Sequence, residues 1–283
     1  MVRSAEGDSS MNRALKITGA TRLYPIIGDP IAQVRSPETI TEGFGTKGMN
    51  AVCIPVHVPV DRFDVIIPAL LALGNLDGLL VTVPFKARML PFANRLGTTA
   101  QSIGALNALR READGSWTGD MFDGHGFVRG AQRKGENVGG RRVALFGAGG
   151  AGSAIAFALA DAGVRSIHVI DTDAQRAAAL VAKLRQAFQE GSFTPATEMP
   201  GDADMVVNAS PIGMRVDDGM PGAIPSLSAG TLVGDVVITE RPTALVRHAI
   251  ACGCHFVDGR DMHAGQVDAI TSFFASAAKT PTD

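Results

Sequence analysis

Two short segments carry residues whose types and spacing could do chemistry. The run LVTVPFK (Leu80 to Lys86) sets the hydroxyl of Thr82 and the amine of Lys86 at the end of an apolar stretch. The run GAGGAG (Gly147 to Gly152) spaces Gly147, Gly149 and Gly152 as G-x-G-x-x-G, with Ala148, Gly150 and Ala151 between them. A lysine at the C-terminal end of a buried strand sits where open α/β sheets place ligands, although a lone lysine there also reads as a snorkelling surface side chain. Glycines between a strand and a helix allow a tight turn and let a pyrophosphate approach the helix amides. Alone the triplet could serve helix-sheet packing, so its setting decides. Asp171 follows Gly147 by 24 residues, close to the spacing expected of an acid that takes ribose hydroxyls. Its charge repels a 2'-phosphate and Thr172-Asp173 offers no cation, so NAD is expected in preference to NADP. Asp171 could also cap the helix that follows.

These groups need strands and turns to hold them. Apolar runs predict strands at Arg22 to Ile27, Val52 to Val58 and Asp77 to Val83. A helix is expected after Ser36, with Pro37 in its first turn, and another runs to Leu71 with Asp61 as its cap. Asp114-Gly115, between two short runs, signals a hairpin with a domain hinge soon after it. A second alternation begins at Arg142. It predicts a strand to Phe146, the glycine turn, an Ala-rich helix from Ser153 to Ala162, a strand ending near Asp171 and a helix from Ala174 to about Phe188. Strands at Asp204 to Asn208 and Leu232 to Val237, a helix at Thr243 to Ala251 and a strand at His255 to Val257 complete it. Strands alternating with helices imply a mostly parallel sheet covered on both faces.

Composition narrows the partners. The chain has 283 residues, enough for about two domains at roughly 150 residues each. A balance of 26 basic against 28 acidic residues gives no footprint for nucleic acid or an anionic membrane, so a small-molecule substrate is the expected partner. Three cysteines in a chain of this size suit a reducing compartment, which places the protein in the cytoplasm. The first sixteen residues hold no apolar run long enough for a signal peptide and read as a loose polar tail, with Met11 as an alternative start, and the apolar segment Val65 to Val83 is broken by Pro68, Gly74, Asn75 and Asp77. No metal is expected: the CGCH run at Cys252, Cys254 and His255 lacks a second ligand pair at zinc spacing. The sequence leaves the oligomeric state open, a homodimer included.

The segments taken together resemble the shikimate dehydrogenase family, which includes quinate/shikimate dehydrogenases. GDPIAQVRSP (Gly28 to Pro37) is similar to its G-N-P-I-x-H-S-x-S-P, VTVPFK (Val81 to Lys86) to V-T-V-P-x-K, and GALNAL (Gly104 to Leu109) to G-A-x-N-T. GDMFDGHGF (Gly119 to Phe127) follows G-x-N-T-D-x-x-G-F, GAGGAG the glycine loop, NASPIGM (Asn208 to Met214) N-x-[ST]-P-x-G-M, and GRDMHAGQ (Gly259 to Gln266) G-x-x-M-L-x-x-Q. Seven collinear segments, from about Tyr24 to Gln266, are far more specific than any one of them.

The resemblance implies a two-domain α/β fold, an N-terminal α/β substrate domain plus a Rossmann-type doubly wound dinucleotide-binding domain. The expected boundaries are a flexible tail over 1–18, the substrate domain over 19–121, the cofactor domain over 122–258, and a C-terminal helix from 259 to 283 that packs back on the substrate domain. Lys86 and Asp123 would be the catalytic pair, with Ser36, Thr82, Asn107 and Gln266 binding substrate. Asn208 and Met214 would join the glycine loop and Asp171 around the cofactor. Oxidising an alcohol requires loss of the hydroxyl proton as hydride leaves carbon; a partly buried lysine amine can take that proton while a neighbouring carboxylate orients it.

The departures from the family pattern are equally specific. Val34, Leu80 and Ile238 stand where the family has a pocket serine, an asparagine and a tyrosine, and Gln33 and Asp29 replace its His and Asn. Asp171-Thr172-Asp173 replaces the N-R-T of NADP-using members, while Arg176 keeps the arginine that follows. A buried carboxylate without donors is costly, so either a cation such as Arg35 compensates or the substrate differs. His125 and His263 are left out of the expected site, since a lone histidine is more often structural. The reading is an NAD-preferring dehydrogenase of the shikimate/quinate type, weighed against a cofactor-binding sensor without turnover and a dehydrogenase of a divergent substrate.

Overall fold

Apolar runs bounded by glycine, proline or aspartate form the strands of two sheets in the computed structural model, which describes residues 17–276. Met11 and the expected N-terminal tail, apart from Ile17 and Thr18, lie outside the described residues, as does the C-terminal segment after Ser276.

The first sheet contains β1 (Arg22–Gly28), β2 (Ala51–His57), β3 (Gly78–Val81), β4 (Arg95–Leu96), β5 (Ala108–Arg111) and β6 (Trp117–Asp120). Its order is β2-β1-β3-β5-β6-β4, with β1, β2 and β3 parallel and β5 antiparallel to both of its neighbours. The helices of this half are α1 (Ser36–Thr46), α2 (Phe63–Leu71) and α3 (Thr98–Ile103). The expected hairpin joins β5 to β6, where Gly115 takes φ +83 and Asp114 Oδ1 accepts from Ser116 N.

The chain crosses to the second half through α4 (Asp123–Arg133). There β7 (Arg142–Phe146), β8 (Ser166–Ile170), β9 (Ser192–Ala196), β10 (Met205–Asn208), β11 (Leu232–Asp235) and β12 (His255–Asp258) form a fully parallel sheet in the order β12-β11-β10-β7-β8-β9. Helices α5 (Gly150–Asp161), α6 (Ala174–Ala187) and α7 (Ala244–Ala251) connect its strands. The order reverses between β7 and β10, and ligands of open α/β sheets bind beyond the carboxyl ends of strands at such a point.

The last helix, α8 (Gly259–Ala275), returns to the first half. Asp258 caps it through a reciprocal capping box with Asp261. Glycines let α8 lie close along α4: a methyl on Gly265 would stand 2.2 Å from Gly126 O. At the far end Phe274 packs between Tyr24 and Phe44, with ring centroids 4.9 and 6.1 Å away. Phe274 is fully buried, a contribution of about 2–3 kcal/mol.

Several local expectations are corrected. The helix after the glycine turn begins at Gly150, not Ser153, because Gly150 and Gly152 adopt helical geometry while Gly149 is its extended N-cap. Asp61 does not cap α2; it lies within a 3-10 turn over Val60–Arg62 that leads into that helix. Nor does Asp171 cap α6: Asp173 does, accepting from the Gln175 and Arg176 amides. The third strand stops at Val81, leaving Thr82 outside it. The short elements β4, α3 and β9 have no counterpart in the expected pattern.

Candidate active site

Lys86 owes its position to the turn after β3. Thr82 N donates to Ile27 O, Phe85 N to Thr82 O, and Leu106 N to Lys86 O at 3.0 Å. Phe85 anchors the turn, fully buried with its ring 4.7 Å from that of Phe63. The amine therefore projects toward the start of α4, where Asp123 is 3% exposed.

Lys86 Nζ donates to Asp123 Oδ2 in a close ion pair. Asn107 Nδ2 donates to Asp123 Oδ1 at 2.8 Å and lies 3.4 Å from Gln266 Oε1. Asn107 Oδ1 in turn accepts from Phe122 N at 2.9 Å. Four of the expected residues thus form one network from four elements: the β3 turn, the approach to β5, the start of α4 and α8. A carboxylate this buried is tolerable because both oxygens have donors. Ser36, buried at the start of α1, and half-buried Thr82 make no side-chain hydrogen bond to this network.

Two residues left out of the expected site border it. His263, one turn before Gln266 on α8, places Nε2 2.6 Å from Thr39 Oγ1 on α1. Burial pushes its imidazole below the ordinary histidine range, against the opposing pull of Asp123. The signal for this pair lay in sequence position: His263 falls inside the M-H-A-G-Q segment, and Thr39 three residues after Ser36. The other omitted histidine, His125, is exposed on α4.

Val34 and Leu80 belong to an apolar cluster that includes Ile31, Phe122, Val267 and Ile270, so two positions that are polar in the family pattern are packed aliphatic side chains here. Ile238 lines a separate cavity of about 110 Å³ beside Arg260 and the Val237 to Thr243 loop.

The glycine loop faces this network from the second half. Gly147 takes φ +100, a conformation that favours glycine, and a methyl there would meet Ala209 O at 2.8 Å. Gly152 packs on the turn itself: its methyl would stand 2.0 Å from Gly147 O. Gly149 has nothing within 4 Å of such a methyl, which leaves its face open to a ligand, and a methyl on Gly150 would stand 3.6 Å from Lys86 Cδ. A cleft of about 210 Å³ runs between this loop and Ile103 to Ala105, with Arg176 and Lys183 on its α6 side. Lys183 Nζ donates to Ile103 O across it at 2.8 Å. The donor set, open glycine backbone at the start of a helix, fits a dinucleotide pyrophosphate.

Asp171 is less free than expected. Its oxygens accept from Ala148 N at 2.7 Å and Asp173 N at 2.8 Å, and Arg176 lies 3.3 Å from it. Arg176 is also 3.3 Å from Asp173. Asn208 is 1% exposed and bonded to Ile212 O, Asp235 and Ser210, so it shapes the loop after β10 and offers no free group. Met214, in that loop, is 38% exposed. Asp235 beneath it is pushed up to about 6 by burial, partly offset by hydrogen bonds from Thr243, Val237 and Asn208.

Comparison with known proteins identifies the family. Residues 26–109 match the family described as shikimate dehydrogenase substrate binding domain, and 129–212 the one described as shikimate / quinate 5-dehydrogenase. The chain is 35% identical over 251 residues to the shikimate dehydrogenase (NADP(+)) of Rubrobacter xylanophilus, covering 87% of this chain and 88% of that one. Among solved structures, the quinate dehydrogenase of Corynebacterium glutamicum in complex with NAD is 30% identical with a TM-score of 0.79, covering 90% of this chain and 94% of that one. The Listeria monocytogenes shikimate 5-dehydrogenase, in complex with shikimate and NAD, is 25% identical with a TM-score of 0.79, covering 97% of each. By the two matching family models and a relative 35% identical over 87% of this chain, the chain belongs to the shikimate dehydrogenase family of oxidoreductases.

Proposed function

We propose that the protein is an NAD-preferring dehydrogenase that reversibly oxidises a ring hydroxyl of shikimate, quinate or a related cyclic hydroxy acid. The observation that carries this reading is the Lys86, Asp123, Asn107 and Gln266 network lying against the glycine loop at Gly150. In this reading residues 19–121, with α8 from residue 259, hold the substrate and 122–258 the cofactor.

A nicotinamide cofactor held at the glycine loop would supply the acceptor for the hydride of the carbinol carbon. The protein's own task is the hydroxyl proton and the geometry. The neutral Lys86 amine takes that proton in oxidation and the resulting ammonium returns it in reduction, while Asp123 accepts a hydrogen bond from Nζ in either form and aligns it. Asn107 fixes the Asp123 carboxylate, and Gln266, Ser36 and Thr82 orient the substrate ring. The backbone of Gly147 to Gly152 would hold the pyrophosphate, with exposed Met214 among the residues assigned to the cofactor.

The NAD preference rests on charge. Arg176 is shared between Asp171 and Asp173, leaving one net negative charge where a 2'-phosphate would sit. Its relatives named for NADP(+) make this the sharper half of the proposal. Among the described residues no helix is long and apolar enough to cross a membrane, and Cys53, Cys252 and Cys254 are free thiols, which supports a cytoplasmic enzyme. The test is spectrophotometric reduction of NAD and NADP by the purified chain with shikimate, quinate and related hydroxy acids. Turnover with higher kcat/KM for NAD is expected; no turnover of any cyclic hydroxy acid refutes the activity, and a higher value for NADP refutes the preference.

A further inference from the structure

His263 is 8% exposed, and one of its ring nitrogens is accounted for. The Thr39 hydroxyl donates to Arg35 O at 3.2 Å, one turn back in α1, which uses its single hydrogen. We assign the hydrogen of the 2.6 Å contact to His263 Nε2, the tautomer in which Thr39 Oγ1 accepts from the ring while its own hydrogen goes to Arg35 O. That assignment leaves Nδ1 as a bare lone pair. Among the described residues Nδ1 has no hydrogen-bond partner, and it is not among the buried polar atoms sealed from solvent.

The surroundings give this lone pair a use. Gln266 stands one turn along α8 and Ser36 one turn back on α1, so His263 shares a wall with two of the residues assigned to substrate. The side chains of Val34 and Leu80 are aliphatic and offer a ligand no hydrogen bond. Lys86 and Asp123 already form the pair assigned to the reacting hydroxyl, which leaves the imidazole for a second group of the substrate. A neutral acceptor in such a place recognises a donor, and a ligand hydroxyl is the group that supplies one; a carboxylate would meet the lone pair unfavourably.

We propose that His263, locked in one tautomer by Thr39, is a specificity-determining residue that accepts a hydrogen bond from a substrate hydroxyl other than the one being oxidised. The site thereby selects polyhydroxylated substrates over those lacking that hydroxyl. This rests on the dehydrogenase reading above and names what its altered pocket recognises.

The test uses His263→Leu, His263→Gln and Thr39→Val in the full chain, with quinate, shikimate and analogues each lacking one non-reacting hydroxyl. His263→Leu should raise KM for the preferred substrate about tenfold, the worth of one hydrogen bond, with kcat nearly unchanged. For one deoxy analogue the wild type and His263→Leu should have equal KM. His263→Gln, whose carbonyl can accept, should recover part of the loss, and Thr39→Val should show a smaller loss in the same direction. An equal change for every analogue, or none, overturns the proposal. If the wild type oxidises none of these acids, the dehydrogenase reading fails by itself, and calorimetric binding of the same panel then decides. Hydroxyl-dependent binding that His263→Leu abolishes supports the role of His263; equal binding by both proteins, or none by either, overturns it. Should His263→Leu unfold, the Thr39→Val and His263→Gln comparison supports or overturns the role on the same criteria.

Discussion

Asn107 Nδ2 donates to one oxygen of the Asp123 carboxylate at 2.8 Å while Lys86 Nζ donates to the other. The carboxylate is held from two sides before any substrate arrives, so its orientation belongs to the fold. Asn107→Leu removes that donor and also strands the Phe122 amide, which donates to Asn107 Oδ1. In assays at saturating NAD, kcat should fall about tenfold to a hundredfold, with cofactor affinity retained. An unchanged kcat would show that Lys86 alone orients Asp123.

Lys86→Ala should lower turnover by about a hundredfold or more, the ordinary worth of a positioned proton-transfer group. Its amine lies on the substrate side of the glycine loop, and the pyrophosphate cradle is backbone, so the NAD dissociation constant should change by less than about threefold. Equilibrium binding beside steady-state rates separates the two effects; near-normal turnover would remove Lys86 from its assigned role.

Cofactor choice should turn on Asp171 and Asp173. The double variant Asp171→Asn with Asp173→Ser keeps an acceptor for the Ala148 amide and a serine cap for α6 while removing both charges beside Arg176. The ratio of kcat/KM for NADP over NAD should rise about tenfold or more at low salt and less at high salt, where the freed guanidinium is screened. A ratio insensitive to both changes would mean that preference is set elsewhere.

Asp235 links stability to pH. Its carboxyl, buried beneath the loop after β10, is pushed up to about 6, so the folded protein holds a proton that the unfolded chain has released between the ordinary carboxylate range and that value. Stability from this group is fully present below about pH 4 and is lost as pH rises through 6, an effect of about 3 kcal/mol. Asp235→Asn should flatten the part of the melting-temperature profile between pH 4 and 6.5. A profile as steep as the wild type's would assign that slope to other groups.

The architecture was legible in the sequence because its cause is local. Buried parallel strands read as near-continuous apolar runs, and the glycine turn sits where β7 must give way to α5. The network of Lys86, Asp123, Asn107 and Gln266 was legible only through the spacing of whole segments, since its members lie far apart in the chain. Short elements escaped: β4 has two residues and α3 six, too few to show a period. The Asp171 bonds to Ala148 and Arg176 escaped because spacing shows that an acid is present, not what engages it. His263 escaped because its partner Thr39 stands 224 residues away and meets it only when α8 returns.

That return depends on glycine. A methyl on Gly265 would stand 2.2 Å from Gly126 O and 2.8 Å from Gly130 N, backbone atoms of α4 that cannot move aside alone. Gly265→Ala must therefore push α8 off α4, carrying the adjacent Gln266 and, one turn back, His263 away from Asp123. The cost should be about 1–3 kcal/mol in denaturant unfolding, with KM for substrate raised more than KM for NAD. Gly45→Ala on α1 supplies the contrast, since nothing lies within 4 Å of a methyl there and the position is helical. It should be neutral or stabilising by up to about 1 kcal/mol and leave both KM values unchanged. If the two variants behaved alike, close approach of α4 and α8 would not be what holds the substrate wall in place.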